Sequence, residues 1–416
     1  MKDYTVLIIG GGASGMMCAL RLAEGGVHNI ALIEKNERLG RKLSATGNGQ
    51  GNVTNENMSS SHYFSSSGSA EKVLSRFGKT DLLQYLSHLG GLYTADGSGR
   101  VYPASRQASS VTDLFRFALA REGVRVLTGE AVREVRKDER KDDKFIVCTQ
   151  AGEYRSEYLV LACGGKASPH FGSDGFGYKI ASCFGHTITP LSPSLVRIKT
   201  VQTDVRGLKG IRVDCEAGLF RKDGSGKEMP VTSQRGDVLF TDTGISGDLV
   251  FRLSAFSKTG DILSLNFLPD FSKKDIFEVL EMKMRSYPDM PSEDLLRGIV
   301  NSAIGRVILK RCEIAQSVGV RALKNMVPKL ADMLQYFKLE VSGSEGFENA
   351  QVTKGGVSMR ELRDDLMSKK CERLFIVGET VDIDGECGGY NLQWAFSSGA
   401  VAAEAIKDRI HHVDRN

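Results

Sequence analysis

The sequence has no apolar run that approaches the roughly 20 residues needed to cross a membrane as a helix. Its start lacks the basic segment, apolar core and cleavage site of a signal peptide, so we expect a cytoplasmic protein. The eight cysteines are scattered, without a C-x-x-C pair or a metal-site spacing, which argues against disulfides and bound metal. A net charge of +4 is too small to indicate nucleic-acid binding by itself.

The composition is that of an ordinary globular enzyme. A hydrophobic content of 41% with 25% charged residues excludes a disordered chain. The length of 416 residues exceeds one ordinary core, so two or three subdomains are expected. The sequence contains no recognisable catalytic triad.

The segment Thr5–Glu34 predicts a nucleotide-binding strand–helix–strand unit. The apolar, β-branched run Thr5–Ile9 is typical of a strand buried on both faces. Met16–Glu24 has the pattern of a helix, and Asn29–Ile33 that of a second strand ending in Glu34. Between the first strand and the helix, three glycines have the G-x-G-x-x-G spacing: Gly10, Gly12 and Gly15.

Each part of this unit has a physical task in dinucleotide binding. The glycines allow a tight turn and a close backbone approach to a pyrophosphate, which the helix N-terminus attracts. Glu34 lies where a carboxylate accepts hydrogen bonds from ribose hydroxyls. The alternative, a glycine-rich turn without a ligand, leaves Glu34 unexplained. The unit alone fits either NAD or FAD.

Two polar segments follow Glu34 and add candidate ligand contacts. Lys35, Arg41 and Lys42 are candidates for phosphate binding, with a solvated surface cluster as the alternative. The glycine-alternating segment Ser44–Asn55 can wrap a ligand with backbone donors and amide side chains, or can be a plain flexible loop. Its candidate residues are Thr46, Gly47, Asn48, Asn52 and Thr54.

The middle of the chain changes character several times. The serine-rich stretch Ser59–Ser69 is interpreted as a mobile connection. Tyr158–Cys163 reads as a buried strand that runs into Gly164 beside the nucleotide. Short alternating segments over 191–266 predict an antiparallel β subdomain, and the pattern over 272–338 is helical.

The segment from Leu374 to Ile406 carries the second strong pattern. A buried strand ends in Gly378-Glu379, an acidic loop leads to Gly388-Gly389, and a helix rich in small residues covers 392–406. This order is typical of the end of a flavin-binding fold, where the helix N-terminus approaches the isoalloxazine. The alternative is an ordinary turn between a strand and a helix.

Three blocks together resemble a family of two-dinucleotide-binding-domain flavoproteins that includes the bile-acid-inducible reductase and aminoacetone oxidases. The blocks are Val6–Gly15, Leu39–Asn55 and Gly378–Trp394, and the resemblance covers nearly the whole chain. In the second block, Gln50 and Gly51 occupy the positions of the family's arginine and cysteine.

The resemblance implies an α/β fold, with a Rossmann-like FAD-binding domain and inserted β-barrel-like and helical subdomains. The implied segments are 1–190 and 347–416 for FAD binding, 191–271 with 339–346 for the barrel, and 272–338 for a helical cap. By position, Gly12, Ala13 and Ser14 would hold the pyrophosphate and Val132 would touch the adenine. The flavin end would contact Glu379, Asp382 and the run Gly389, Tyr390, Asn391 and Leu392.

The expected function is that of an FAD-dependent oxidoreductase, in which the flavin supplies the hydride chemistry. Reduction of a C=C bond and oxidation of an amine of a small molecule both fit. The resemblance also implies a possible reductase of uridine in ribosomal RNA, which basic residues of the β subdomain such as Arg197 and Lys209 permit. A non-catalytic flavin-binding protein is a further alternative. With no second dinucleotide motif, NADH or NADPH is a possible reductant. Residues near the ring that are candidates for proton transfer are Cys387, Tyr390 and Asn391.

Overall fold

The computed structural model describes residues 2–138, 144–315 and 317–413. Of the two segments predicted to bind FAD, 1–190 and 347–416, the outermost residues Met1 and 414–416 therefore lie outside the described residues. The chain forms two compact units. The first comprises the residues up to Pro193 and from Phe347 onward, and the second comprises Ser194–Gly346. No helix in the described ranges is long and apolar enough to cross a membrane.

The strands of the described chain are β1 Lys2–Ile9, β2 Ile30–Glu34, β3 Thr54–Asn55, β4 Tyr63–Phe64, β5 Tyr93–Ala95, β6 Arg100–Pro103, β7 Arg125–Thr128, β8 Val132–Lys137, β9 Phe145–Thr149, β10 Glu153–Leu161, β11 Ser192–Ser194, β12 Ile198–Thr200, β13 Arg212–Lys222, β14 Glu228–Phe240, β15 Gly244–Ser246, β16 Ile262–Asn266, β17 Phe337–Ser344, β18 Val352–Lys354, β19 Leu374–Ile376 and β20 Asp384–Gly385. The α-helices are α1 Ala13–Glu24, α2 Glu71–Arg76, α3 Lys79–His88, α4 Ala108–Arg121, α5 Phe176–Cys183, α6 Gln202–Val205, α7 Asp248–Ser254, α8 Lys273–Ser286, α9 Ser302–Arg311, α10 Val327–Gln335 and α11 Tyr390–Val413.

The first unit is built on a twisted sheet in the order β7-β2-β1-β10-β9-β8, with β19 also paired to β10. The strands β7, β2, β1, β10 and β19 run parallel, whereas β9 is antiparallel to both β10 and β8. The central strand β1 is apolar because helices cover both faces of such a sheet, and Val6, Leu7 and Ile8 are fully buried. The predicted Rossmann-like fold is therefore confirmed.

Three strands bring the beginning, the middle and the end of the chain to one edge of this sheet. Ile9 of β1 is in register with Leu161 of β10, which is in register with Ile376 of β19. Loops that follow the carboxyl ends of parallel strands form the usual ligand site of an open α/β sheet. Here those loops begin at Gly10, Ala162 and Val377.

Helices α1 and α11 pack closely because small residues line their contact. A Cβ on Gly399 of α11 would overlap the backbone carbonyl oxygen of Ser14 in the first turn of α1. Around this contact, α11 buries Ala400, Ala402 and Ala403. The small side chains therefore let the last helix reach the start of the first one.

The second unit contains a closed barrel in the order β12-β15-β14-β13-β16-β17. Strands β13 and β17 alternate buried and exposed residues over much of their length, as in the pattern that predicted an antiparallel β subdomain. Helices α8, α9 and α10 share one hydrophobic core with the barrel, in which Phe337 of β17 lies with Leu280 and Leu330. The predicted barrel-like and helical inserts are both confirmed as architecture.

We expect Gly399→Ala to destabilise the protein, although alanine favours a helix over glycine by about 1 kcal/mol. The new methyl group would overlap a backbone atom of Ser14, and overpacking of this kind costs about 1–3 kcal/mol. The melting temperature followed by circular dichroism should therefore fall. Gly224→Ala is the control, since no described atom lies within 4 Å of its Cβ position. Equal melting temperatures for the two variants would contradict the packing argument.

Candidate functional site

The turn between β1 and α1 leaves an open space at the start of the helix. A Cβ on Gly15 would overlap the carbonyl oxygen of Gly10, so this pair needs glycine for strand and helix to pack. A Cβ on Gly12 would instead meet no described atom within 4 Å beyond its two neighbours in the chain. Gly12 precedes Ala13 and Ser14, the first residues of α1, whose backbone N–H groups have no partner within the helix. The space therefore fits an anionic group such as a pyrophosphate.

The carboxylate of Glu34 at the end of β2 is held in a fixed orientation. Its Oε2 accepts a hydrogen bond from Gly11 N and its Oε1 accepts one from Asn36 N, each at 2.8 Å. Asn36 Nδ2 also donates to Oε1, at 2.6 Å, so about one of the roughly four lone-pair sites of the carboxylate remains for a ribose hydroxyl. Glu130 N donates to the Glu34 carbonyl oxygen at 3.1 Å, which brings the start of β8, at Val132, near this strand end.

Two of the residues predicted to contact phosphate form hydrogen bonds or an ion pair with other groups of the protein. Lys35 Nζ pairs with Asp174 Oδ2 at 2.6 Å. Arg41 donates to Asn36 Oδ1 at 2.7 Å and to the His170 carbonyl oxygen at 3.1 Å. These two cations therefore tie the loop after β2 to the segment 170–174.

Lys42 differs from Lys35 and Arg41 in its partner, because it links a segment near the start of the chain to one near its end. Its Nζ donates to Glu379 Oε2 at 2.8 Å, across 337 residues of sequence, and to the Ala167 carbonyl oxygen at 3.3 Å. The other carboxylate oxygen of Glu379 accepts from Thr353 N at 2.8 Å. Both side chains of the ion pair are mostly buried, at 27% and 20% exposure.

The turn after β19 is held by α11 and by the turn after β10. Gly378 N donates to Ser398 Oγ at 2.9 Å, and Trp394 Nε1 donates to the Gly378 carbonyl oxygen at 3.0 Å. Thr380 Oγ1 donates to the Gly164 carbonyl oxygen at 3.0 Å. The predicted glycines Gly164 and Gly378 thus lie in two turns joined by direct hydrogen bonds.

The glycine-alternating segment has an exposed first half. Thr46 Oγ1 donates to the Leu43 carbonyl oxygen at 2.7 Å, which closes a short 3₁₀ turn. Gly47, Asn48 and Gly49 then adopt left-handed φ values of 60°, 54° and 84° and are exposed.

The second half of that segment is buried against the first turn of α11. Thr54 Oγ1 donates to Gln393 Oε1 at 2.6 Å. Asn52 Oδ1 packs so closely on Gly389 that a Cβ there would overlap it. This amide oxygen is buried and has no hydrogen-bond partner in the described part of the chain. The half-buried Leu392 lies in the same helical turn.

Asp382 is enclosed by the serine-rich segment. Its Oδ2 accepts from Ser66 N at 3.1 Å and from the hydroxyls of Ser66 and Ser67, each at 2.7 Å, and the residue is only 2% exposed. These hydroxyls satisfy a buried carboxylate that lies 316 residues later, so part of the stretch packs on the closing loop, and its mobility stays a prediction.

The candidates for proton transfer have different surroundings. Asn391 is committed to structure, because its Nδ2 donates to the Gly385 carbonyl oxygen at 2.7 Å and its Oδ1 accepts from Gly385 N at 2.8 Å. Tyr390 is 5% exposed, and burial raises the pKa of its phenol. Cys387 is half-buried, next to Gly388, whose carbonyl oxygen accepts from Asn55 Nδ2 at 2.9 Å.

Sequence reasoning missed His62 and Glu386, which the structure brings to this same loop. His62 Nδ1 lies 3.1 Å from Glu386 Oε2, and the imidazole stacks on the ring of Tyr390. His62 lies in the serine-rich stretch and Glu386 in the Gly378–Trp394 block, 324 residues away, and neither sequence feature points to the other. No local feature of the sequence could have paired them.

Asp384 is the most unusual carboxyl group of the loop. It is 1% exposed, and neither oxygen has a hydrogen-bond partner among the residues described. Burial raises the pKa of this carboxyl to about 7, the charge of Lys354 opposes the rise, and Asp382 and Glu379 add to it. The side chain is therefore largely protonated below neutral pH.

Fold and site place the chain among the Rossmann-type dinucleotide-binding proteins. A family model described as the HI0933-like protein Rossmann domain matches residues 4–405, and the chain belongs to this family. It is 33% identical to a 3-dehydro-bile acid Δ4,6-reductase of Clostridium scindens, over 97% of this chain and 98% of the relative. It is 26% identical to a ribosomal RNA dihydrouridine synthase of Haemophilus influenzae, over 98% and 99% of the two chains.

A solved structure has the same fold. The 3-ketosteroid-Δ4-(5α)-dehydrogenase of Rhodococcus jostii, in complex with 4-androstene-3,17-dione, matches 98% of this chain and 97% of its own with a TM-score of 0.50. Because the two sequences are only 12% identical, this similarity supports a shared fold and nothing further. With the family and its reductase relative, the chain is an FAD-dependent oxidoreductase.

We expect Gly12→Ala to weaken FAD binding by at least about tenfold, or 1.4 kcal/mol, because the methyl group enters the space open to a pyrophosphate. The fold should tolerate the change, since the φ of Gly12 is −81° and no described atom lies within 4 Å of the new Cβ. Fluorescence titration of the apoprotein with FAD measures the affinity. Gly97→Ala, equally open and exposed, is the control and should bind normally. Unchanged FAD affinity in Gly12→Ala would contradict the placement of the pyrophosphate.

We expect Asp384→Asn to stabilise the protein at pH 8 and to have little effect at pH 4. Because the native pKa of this carboxyl is about 7 and its ordinary value is 3.8, the folded state binds more protons than the unfolded state between these values. The wild-type free energy of unfolding should therefore lose up to about 1.4 kcal/mol per pH unit across that window. Urea unfolding at both pH values measures it.

The exposed Asp289→Asn serves as the matched control and should change stability equally at both pH values. A stability difference between Asp384→Asn and wild type that does not grow from pH 4 to pH 8 would contradict the raised pKa.

Proposed function

We propose that this protein reduces a carbon–carbon double bond conjugated to a carbonyl group in a small molecule. The observation that carries the proposal is the 33% identity, over nearly the full length of both chains, to a Δ4,6-reductase of bile acids. The second relative is named for dihydrouridine, the product of saturating one C=C bond of uridine. Neither name describes an amine oxidase, so C=C reduction is the preferred reaction.

We propose that FAD is held by residues from both ends of the first unit. The open turn at Gly12 would receive the pyrophosphate, Glu34 the ribose, and the start of β8 at Val132 the adenine. The first turn of α11, from Gly389 to Leu392, would lie at the flavin end, where its free N–H groups favour negative charge. Once reduced, bound FAD would supply a hydride to the substrate.

We propose that NADH or NADPH reduces the bound FAD. The dinucleotide-binding turn after β1 is assigned to FAD, so the nicotinamide would bind transiently rather than in a second Rossmann unit. We also propose a cytoplasmic location, which the eight free cysteines support.

Reduction of uridine in ribosomal RNA is the second candidate function, favoured by the similarity to the dihydrouridine synthase. Two basic residues of the barrel unit are already paired with carboxylates. Lys209 pairs with Asp242 at 2.7 Å, and Arg212 pairs with Asp237 at 3.0 Å. Since such pairs neutralise the cations that RNA phosphates would contact, the small-molecule substrate is preferred.

Anaerobic reduction of the flavin by NADH or NADPH, followed by addition of acceptors, tests the function. We expect bleaching near 450 nm with at least one nucleotide and rapid recovery with a 3-oxo-4-ene bile acid or cyclohex-2-enone. Recovery only with a uridine-containing rRNA fragment, together with loss of dihydrouridine from the rRNA of a deletion strain, would favour the RNA reaction instead. A flavin that no nucleotide reduces and no acceptor reoxidises would indicate a non-catalytic binding protein.

A further inference from the structure

The short strands β4 and β20 place His62 and Glu386 opposite each other. Phe64 pairs with Asp384 and Tyr63 pairs with Gly385 in antiparallel register. The pairing continues by one residue, because Glu386 N donates to the His62 carbonyl oxygen at 3.0 Å. Residues directly opposite in such a ladder direct their side chains to the same face. The backbone therefore brings an imidazole and a carboxylate together.

The imidazole of His62 is fixed on two sides. Its Nδ1 lies 3.1 Å from Glu386 Oε2, and its ring stacks on Tyr390 with centroids 4.6 Å apart and planes tilted by 26°. Tyr390 is itself anchored, since its carbonyl oxygen accepts a hydrogen bond from Tyr63 Oη at 2.9 Å. An ordinary surface ion pair has neither the stacking partner nor the strand pairing behind it.

One nitrogen of this imidazole remains available. Of the described groups, none is hydrogen-bonded to His62 Nε2, and the side chains of His62 and Glu386 are 30% and 29% exposed. A carboxylate on Nδ1 fixes the orientation of a histidine, while Nε2 serves as the acid or base.

The other ionisable groups of the loop are less suited to reach a substrate. Asp384 is 1% exposed, Asp382 is 2% exposed with its Oδ2 bonded to serines, and the amide of Asn391 is bonded to Gly385. Tyr390 is 5% exposed and its phenol pKa is raised by burial. His62 combines partial exposure, a fixed ring and an unoccupied nitrogen.

Resting on the proposed function, we infer that His62 is the proton donor for the reduced double bond and that Glu386 is its positioning residue. Tyr390 begins α11, whose first turn is proposed to contact the flavin. Because His62 stacks on Tyr390, the pair of His62 and Glu386 adjoins the reacting end of the site. Saturation of C=C requires a hydride at the β carbon and a proton at the α carbon. The π bond breaks as two C–H bonds form, and the hydride would come from reduced FAD, which would end oxidised. The N–H bond of His62 Nε2 breaks to supply the proton, and the neutral imidazole is reprotonated by solvent.

Rapid mixing of chemically reduced holoenzyme with two acceptors tests the inference. In His62→Gln, reoxidation by a 3-oxo-4-ene bile acid should slow by at least about a hundredfold, as loss of a general acid predicts. Reoxidation by ferricyanide, which needs no proton on carbon, should stay within twofold of wild type. The FAD content and visible spectrum should be unchanged. His88→Gln, on the exposed end of α3, is the matched control and should behave as wild type with both acceptors.

Two further variants separate donation from positioning. Added imidazole should restore enone reduction to His62→Ala but should not affect His62→Gln, which leaves no cavity for it. Glu386→Gln should lower the enone rate less than His62→Gln does, and Glu386→Asp should recover part of that loss.

The outcomes distinguish the inference from the function it rests on. If wild type is not reoxidised by any C=C acceptor while ferricyanide works, the proposed function fails and the inference fails with it. If wild type reduces the enone and His62→Gln reduces it equally fast, only the assignment of His62 is overturned. Equal losses with enone and ferricyanide, or loss of FAD from His62→Gln, would identify a structural residue and also overturn it.

Discussion

The site depends on one steric constraint, the meeting of the first and last helices of the chain at Ser14. Gly399 touches the Ser14 backbone with no room for a side chain, and Gly378 lies against the Ser14 hydroxyl. This contact fixes how far the turn after β19 approaches the turn after β1. The ion pair of Lys42 with Glu379 joins the same two ends of the chain. A cofactor bound there is enclosed by segments from both ends of the chain.

The parts of the fold that follow local rules could be predicted from the sequence. The glycines after β1 obey a spacing that one strand and one helix impose, and the crowding of Gly15 against Gly10 shows why. The pairing of His62 with Glu386 could not be predicted, because it depends on a two-residue ladder between segments 324 residues apart. The charges of Lys35 and Arg41 suggested phosphate contacts, yet their partners come from segment 170–174, which no sequence pattern linked to them. The individual residues proposed to bind FAD stay predictions.

Three carboxylates within six residues of the closing loop have three different electrostatic environments. Glu379 is neutralised by a lysine, and Asp382 is solvated by serine hydroxyls in place of water. Asp384 has neither, and burial therefore holds its carboxyl largely uncharged below neutral pH. One acidic stretch of sequence thus gives an ion pair, a hydrogen-bonded anion and a neutral acid, and the neighbours contributed by distant segments decide which.

The strand β19 has a consequence for synthesis on the ribosome. The central sheet of the first unit lacks this strand, and α11 with it, until the chain has passed through the whole of Ser194–Gly346. At about 5–20 residues per second, the roughly 180 residues between Pro193 and β19 take about 10–40 s to make. During that interval the edge of β10 that later pairs with β19 stays unpaired, while the barrel can already bury its own core. The nascent chain is therefore most open to wrong strand pairing before its cofactor site exists.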